Sequence, residues 1–294
     1  MSLKSILQNH FSDEELIVDQ TDIKFIQADG IAFPVLFCKN RETRPYQHYT
    51  LLSKDDCPLC RRVLEGKTSP SVIPGFDWLP AIWPIKSLHG ICYPHEHRAG
   101  IVVSDIGSLG DFADKAGDVA VCFNMYGSAA SIPVHFHAQI HDNALPSSEK
   151  PAFPLFSCKS EPIEENDDIS LFRVLGYPAY VLFLEGSWEM LGRWMITYFA
   201  SVNSRPHNFV IAPGGKLYVI PRSREKAPMQ ENKYGASEML GLITPISYDA
   251  YKAIASGGVI QDALRMCGME DEKEKQAICE HALWTMKHIR GGIS

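Results

Sequence analysis

Residues 134–142 read VHFHAQIHD, a segment in which polar and apolar side chains alternate. Because successive side chains of a strand point to opposite faces, the four polar residues are expected on one face, with neighbours roughly 6.6 Å apart. These residues are His135, His137, Gln139 and His141. Such a row would also suit the polar face of a half-exposed sheet. It nevertheless offers a nucleophile, an orienting group and a donor for phosphate oxygens, so the pattern predicts a catalytic strand.

The segment just upstream predicts the partner of this strand. Residues 118–123 (DVAVCF) are largely apolar and β-branched, and the turn-like residues 124–131 (NMYGSAAS) separate them from the motif. The two strands are therefore expected to pair as an antiparallel hairpin.

The downstream sequence predicts a strand, a helix, a hairpin and a second helix. Residues 180–186 (YVLFLEG) favour a strand, and residues 188–202 carry apolar side chains at helical spacing. A Pro-Gly-Gly turn at 213–215 lies between two short apolar runs, as in a hairpin, and residues 271–289 carry an apolar helical stripe. Strands and helices mixed with hairpins, without regular βαβ repeats, indicate an α+β fold.

A Pro-, Ser- and acid-rich segment is the best candidate for a connection between two halves. We divide the chain into residues 1–145, a linker at 146–168, and residues 169–294. The two halves show no exact sequence repeat.

The composition is that of an ordinary globular protein, with 45% hydrophobic and 21% charged residues. The formal charge of −7 argues against nucleic-acid binding through a broad positive field, so any nucleotide site must be local. Residues 1–11 lack the apolar core of a signal peptide, and no stretch approaches the roughly 20 apolar residues needed to span a bilayer. We therefore expect a cytoplasmic protein whose eight cysteines are reduced.

Residues 135–139 have the form His-x-His-x-Gln, and the loop before them contains Asn124, Gly127 and Ser131. In both features the sequence resembles the branch of the histidine-triad (HIT-like) superfamily that contains galactose-1-phosphate uridylyltransferase, diadenosine-tetraphosphate phosphorylase and GDP-hexose phosphorylase. The resemblance touches roughly residues 50–250. It implies a HIT-like fold with two HIT-like halves in one chain, built from antiparallel sheets flanked by helices.

The resemblance also implies roles for residues of the motif. His137 would attack the α-phosphorus of a nucleotide and carry the nucleoside monophosphate as a covalent adduct, since an imidazole with a pKa of roughly 6.5 keeps a lone pair at neutral pH. Gln139 replaces the third His of hydrolytic members, and its neutral amide favours transfer or phosphorolysis over hydrolysis. His141 is either a partly exposed strand-end residue or a group that protonates the leaving group. The candidate substrate-binding residues of the preceding loop are Asn124, Gly127 and Ser131.

A Cys-x-x-C pair at residues 57–60 indicates a metal site, although two reduced cysteines at a turn would give the same pattern. Two thiolates need two further ligands to complete tetrahedral zinc. Residues 93–97 (YPHEH) resemble the family's Pro-x-His element, which implies His97 as one of these further ligands and leaves His95 as an alternative. The implied structural zinc would be bound by Cys57, Cys60, His97 and His135, and it would orient the segment that carries the nucleophile.

The resemblance continues into the second half. Residues 206–227 are similar to a hairpin of the phosphorylases, with His207-Asn208 in place of Tyr-Asn. Arg222 and Lys226 follow its second strand, where cations could bind a polyphosphate or sugar phosphate. An ordinary solvated loop would carry the same charges.

These features predict a nucleotidyltransferase or phosphorylase. It would move a nucleoside monophosphate from a nucleotide sugar or dinucleoside polyphosphate, through His137, to phosphate or a sugar phosphate. The alternatives are a nucleotide hydrolase that uses the same histidine and a non-catalytic, zinc-stabilised nucleotide-binding protein. The expected partners are small molecules rather than nucleic acid or membranes, and a homodimer is one option because relatives often form dimers.

Overall fold

The computed structural model describes residues 21–39, 42, 54–65, 72–81, 89–145, 149–202, 205–227, 233–254 and 257–289. The strands are β1 (Thr21–Ala28), β2 (Ile31–Cys38), β3 (Phe76–Pro80), β4 (His89–Pro94), β5 (Val119–Asn124), β6 (Ala138–Asp142), β7 (Ser160–Glu164), β8 (Ile169–Val174), β9 (Leu182–Gly186), β10 (His207–Ala212) and β11 (Lys216–Pro221). The helices are α1 (Pro58–Leu64), α2 (Val103–Ala116), α3 (Trp188–Ser201), α4 (Ala236–Met239), α5 (Tyr248–Ala253), α6 (Gly257–Cys267) and α7 (Glu272–His288). Across these described segments, no helix has the length and apolar character required to cross a membrane.

Nine strands form one antiparallel sheet in the order β3-β4-β6-β5-β10-β11-β9-β8-β7, and β1 and β2 form a separate hairpin. Each half of the chain contributes the same unit of two strands, a helix and two strands, β3-β4-α2-β5-β6 and β8-β9-α3-β10-β11. From the outer edge inwards, the strand order is β3-β4-β6-β5 in one unit and β8-β9-β11-β10 in the other. The units meet at the antiparallel pair of β5 and β10, which relates them by an approximate twofold axis. The predicted α+β fold with two similar halves is confirmed.

Helices α2, α3 and α7 cover one face of the sheet. The apolar stripes predicted for α3 and α7 are buried in this layer, together with residues of α2. Burying each large apolar side chain contributes about 1.5–3 kcal/mol, so these stripes fix the helices on the sheet. The predicted residues that are buried are Trp188, Leu191, Met195, Tyr198, Val202, Ile278, Ala282, Met286 and Ile289.

The opposite face carries two separate apolar clusters. One joins the β1–β2 hairpin and helices α4 and α6 to strands that include β5, β10 and β11. The other joins α1 to β3 and β4 through Leu59, Leu79 and Tyr93. Strand β6 pairs with β4 on one side and β5 on the other, so it runs between the strands that support the two clusters.

The predicted linker at 146–168 is partly structured. Its first residues, 146–148, lie outside the described residues. A 3-10 helix follows at Pro154–Ser157, and Ser160–Glu164 form β7, which pairs with β8 at the outer edge of the second unit. The segment therefore leads from the first unit to the far edge of the sheet, and the division at 145 and 169 stays a prediction.

Candidate active site and metal centre

The strand of the His-x-His-x-Gln motif is shorter than the sequence suggests. It pairs with β5 as predicted, but it begins at Ala138 rather than Val134. Upstream of it, the Phe136 amide donates to the Arg98 carbonyl at 2.7 Å instead of joining a strand ladder. Ala138 and Ile140 pack in the layer under the helices, so Gln139 and His141 face the opposite side. The predicted alternation therefore holds within β6 alone.

His137 is buried directly before β6, with 7% of its surface exposed. Its Nδ1 lies 3.0 Å from the carbonyl oxygen of His135, and because a carbonyl can only accept, Nδ1 carries the proton. Burial lowers the pKa of His137, and the bond to the His135 carbonyl only partly opposes this effect. The imidazole is therefore neutral near pH 7, with its lone pair on Nε2, as a nucleophile requires.

Asn124 is the last residue of β5. It lies two residues after Cys122, which pairs with Gln139 of β6. The Asn124 Oδ1 accepts hydrogen bonds from the Ala236 amide at 2.8 Å and from Asn208 Nδ2 at 2.7 Å. These bonds fix the orientation of the Asn124 amide.

Asn208 of β10 joins the site to the second half, a role that the sequence analysis missed. Its Nδ2 also donates to the Ser128 carbonyl at 2.9 Å, and its Oδ1 accepts from the Arg222 guanidinium. Asn208 is fully buried and pairs with Asn124 across the strands β5 and β10. One side chain thus links the end of β5, the following loop and a buried cation.

Arg222 lies inside the protein rather than on a solvated loop. Only 3% of it is exposed, and its guanidinium donates to carbonyls of Cys267 at 2.9 Å, Tyr234 at 2.7 Å and Arg224 at 2.8 Å. With the bond to Asn208, most of its five donors are engaged by the protein. Arg222 therefore connects several backbone segments inside the protein, and this placement does not support its expected contact with substrate. Lys226, the other predicted cation, is exposed.

The loop from Met125 to Ser131 is held by β10. Ser128, which the sequence analysis did not single out, is fully buried, and its hydroxyl lies 2.7 Å from the Met125 carbonyl and 2.6 Å from the His207 carbonyl. Gly127 has a φ of 78°, and a Cβ at this position would come within 2.7 Å of Pro206 Cγ. Glycine is therefore needed here, and the half-buried Ser131 follows in the same loop.

The four predicted metal ligands come together. Their ligand atoms all lie within 4.8 Å of one another. The Cys57 Sγ lies 3.4 Å from His135 Nδ1, and the Cys60 Sγ lies 3.5 Å from the same nitrogen and 3.3 Å from His97 Nδ1. Tetrahedral zinc, with metal–sulfur and metal–nitrogen distances of about 2.3 and 2.05 Å, would separate sulfur and nitrogen ligands by about 3.6 Å. The cluster is thus compatible with a metal ion.

Neighbouring groups orient these ligands. His135 Nε2 donates to the Pro94 carbonyl at 3.0 Å, which leaves the Nδ1 lone pair facing the two sulfur atoms. Burial lowers the pKa of His135 to about 4, so its imidazole is neutral, as a metal ligand must be. His95 instead turns to Asp77, with 3.0 Å between its Nδ1 and the carboxylate, so the geometry favours His97 as the fourth ligand.

His141 lies in the interior, not at an exposed strand end. It is fully buried, its ring lies 4.2 Å from that of His89, and its Nε2 is 3.0 Å from the Ser237 hydroxyl. The ring also contacts Phe153, which packs in the apolar cluster that includes the β1–β2 hairpin. The expectation of partial exposure was therefore wrong, and these contacts tie β6 to α4 beneath the site.

No protein-family model and no curated protein sequence matches the chain. Among solved structures, it is similar to yeast Ap4A phosphorylase Apa2 in complex with Ap4A, with a TM-score of 0.66, 15% identity, and coverage of 91% of this chain and 97% of that chain. The same enzyme without the ligand gives a TM-score of 0.60 at 14% identity, covering 91% and 94%. Its complex with AMP gives 0.59 at 14% identity, covering 91% and 96%. The chain therefore has the fold of this Ap4A phosphorylase, which is a histidine-triad-like fold.

Proposed function

We propose that the chain is a nucleotidyltransferase or phosphorylase that works through a covalent nucleotidyl-His137 intermediate. In the first step the Nε2 of His137 forms a bond to the α-phosphorus of a nucleotide sugar or dinucleoside polyphosphate, and the bond from that phosphorus to the bridging oxygen breaks. In the second step phosphate or a sugar phosphate attacks the same phosphorus and releases the histidine.

The observation that carries this proposal is the position of the His137 ring, whose Nδ1 lies 3.0 Å from the carbonyl oxygen of His135. Because a carbonyl oxygen only accepts, Nδ1 donates and the lone pair is on Nε2, and burial lowers the pKa of His137, so Nε2 can act as a nucleophile without an added base. A similar fold in a phosphorylase that was crystallised with Ap4A and with AMP agrees with a nucleotide as the substrate.

Other residues would bind and orient the phosphoryl group. We assign the holding of its oxygens to Asn124, Ser131, Gln139 and the backbone at Gly127, with Lys226 as a further cation for the leaving polyphosphate. The amide of Gln139 donates a hydrogen bond but is not an acid, which favours an anionic acceptor over a proton-coupled hydrolysis. Zinc bound by Cys57, Cys60, His97 and His135 would be structural, because all four ligands come from the protein.

Product analysis with Ap4A tests the proposal. Attack at an α-phosphorus leaves AMP on His137 and releases ATP, so a phosphate acceptor then yields ADP. We expect ATP and ADP in equal amounts only when phosphate is present, and neither product from His137→Ala. The matched control is His95→Ala, which changes a nearby exposed histidine and is expected to retain the activity.

The other outcomes identify the alternatives. Phosphate-independent release of ATP and AMP would make the protein a hydrolase. Binding of Ap4A without turnover, under conditions where zinc is bound, would favour a nucleotide-binding protein instead.

A further inference from the structure

A carboxylate from the second half holds the loop that leads to the motif. Glu225 accepts a hydrogen bond from the backbone amide of Ala129 at 3.0 Å through Oε1, and its Oε2 lies 2.5 Å from the Lys233 ammonium. Both charged side chains are largely covered, with 27% of Glu225 and 23% of Lys233 exposed. Glu225 and Lys233 thus form a partly buried ion pair, in which the other carboxylate oxygen of Glu225 binds the loop.

The loop needs this support because Ala129 is in a strained backbone conformation. Its φ is 72°, in the left-handed region that is unfavourable for a residue with a Cβ. Such a conformation persists only when several contacts fix it. On one side of Ala129, the hydroxyl and carbonyl of Ser128 are hydrogen-bonded to β10. On the other side, Glu225 accepts a hydrogen bond from the Ala129 amide.

The charge of Glu225 is retained in this position. Burial alone would raise its pKa, but the bonds from Lys233 and from the Ala129 amide outweigh burial and lower the pKa. A hydrogen bond to an ionised carboxylate is stronger than one to a neutral acceptor. Lys233 also neutralises a negative charge that would otherwise repel a phosphate-bearing substrate at the loop.

We propose that Glu225 is a positioning residue, which sets the conformation of residues 125–131 for transfer to His137, and that Lys233 shields the substrate from its charge. This inference rests on the proposed function for its kinetic consequences. The inference predicts that substitutions of Glu225 and Lys233 change the kinetics in different ways, because Glu225 fixes the geometry of the loop and Lys233 offsets the negative charge of Glu225.

Kinetics of adduct formation separate these roles. At saturating nucleotide, Glu225→Ala is expected to slow labelling of His137 at least about tenfold, since a bond to a charged group is worth about 1.5–3 kcal/mol. Glu225→Gln keeps a neutral acceptor for the Ala129 amide, so it should slow labelling less than Glu225→Ala does. Lys233→Met should instead raise KM for the anionic nucleotide, with a smaller change in the saturated rate. Glu161→Ala, which removes a surface partner of Arg173, is the control and should leave both values unchanged.

Hydrogen exchange provides a readout that does not depend on activity. In peptides that cover residues 125–131, Glu225→Ala should speed amide exchange and Glu225→Gln should speed it less, whereas the Glu161→Ala control should stay near the native rate. Unchanged exchange in Glu225→Ala would overturn the holding of the loop. Faster exchange with an unchanged saturated labelling rate would overturn the positioning role. Absence of any adduct in the native protein would refute the proposed function, and the exchange result would still decide whether Glu225 holds the loop.

Discussion

Replacing His97 by Ala is expected to abolish zinc binding, whereas replacing His95, two residues earlier, is not. His97 Nδ1 lies 3.3 Å from the Cys60 Sγ, close to the separation of about 3.6 Å that two ligands of one tetrahedral zinc ion require. His95 pairs with Asp77 and is 55% exposed. The two substitutions remove the same chemical group within three residues, so they form a matched pair.

The size of the effect follows from linkage and chain length. Free zinc at 100 times its dissociation constant stabilises the folded state by about 2.7 kcal/mol. A chain of 294 residues has an unfolding entropy of about 0.6 kcal/mol/K, so the expected loss in Tm is about 4 °C. The His97→Ala variant should show this loss, and His95→Ala should differ little from native.

Zinc content by elemental analysis and Tm by calorimetry are the assays. The native protein and His95→Ala should contain one zinc per chain, and a chelator should lower the Tm of both. His97→Ala should contain little zinc and be insensitive to the chelator. Full zinc content in His97→Ala, or its loss only in His95→Ala, would refute the assignment of the fourth ligand.

Two further predictions concern the framework of the site. Burial lowers the pKa of His207 to about 4, so the unfolded chain binds a proton first as the pH falls below about 6.5, and stability is lost between pH 6.5 and 4. This group lowers the free energy of unfolding by up to about 3 kcal/mol over that pH range. Chemical denaturation at several pH values should therefore show a smaller fall in the free energy of unfolding for His207→Gln than for the native protein. An equal fall in both proteins would contradict the lowered pKa of His207. A second pair of substitutions, Gly127→Ala and Gly214→Ala, places a Cβ at positive φ in both cases. The Cβ at residue 127 would clash with Pro206, whereas the Cβ at residue 214 would meet no atom within 4 Å. Gly127→Ala should therefore lower the free energy of unfolding by at least about 1 kcal/mol more than Gly214→Ala, and equal losses would show that the clash is relieved.

Local sequence patterns predicted those parts of the fold that depend on local physics. The helical spacing of Trp188, Leu191 and Met195 reflects a face that must be buried, and the Pro213-Gly214-Gly215 turn predicts the β10–β11 hairpin. The metal cluster was predicted from ligand chemistry and the family resemblance. These features could be predicted because each is determined by a short segment of the sequence or by the ligand requirements of one metal ion.

Features that depend on distant contacts were not predictable in this way. The β6 strand starts only at Ala138, and upstream of it the side chain of His135 contacts cysteines that lie 75 and 78 residues away in the sequence. A buried arginine whose partners are carbonyls, such as Arg222, has the same sequence appearance as a surface cation. Asn208 acts on Asn124 across 84 residues, and only the sheet brings the two together.

The two units show no exact internal sequence repeat, and their relationship was expected only from the family resemblance. Each unit needs only a similar alternation of apolar residues along four strands and one helix, which many unrelated sequences satisfy. The order of strands around the central β5–β10 pair reveals the relationship. Only the first unit carries a long loop before its last strand, residues 125–137, where the second has the short turn at 213–215.

Intact-protein mass spectrometry after brief incubation with a nucleotide would detect the proposed nucleotidyl-His137 adduct itself. Native protein and His137→Ala would be mixed separately with Ap4A and with UDP- and GDP-sugars, in the absence of phosphate. We predict a mass increase of one nucleoside monophosphate on the native protein with at least one donor, and none on His137→Ala. An adduct of the same size on the His137→Ala variant, or phosphate-dependent turnover by that variant at the native rate, would contradict the account.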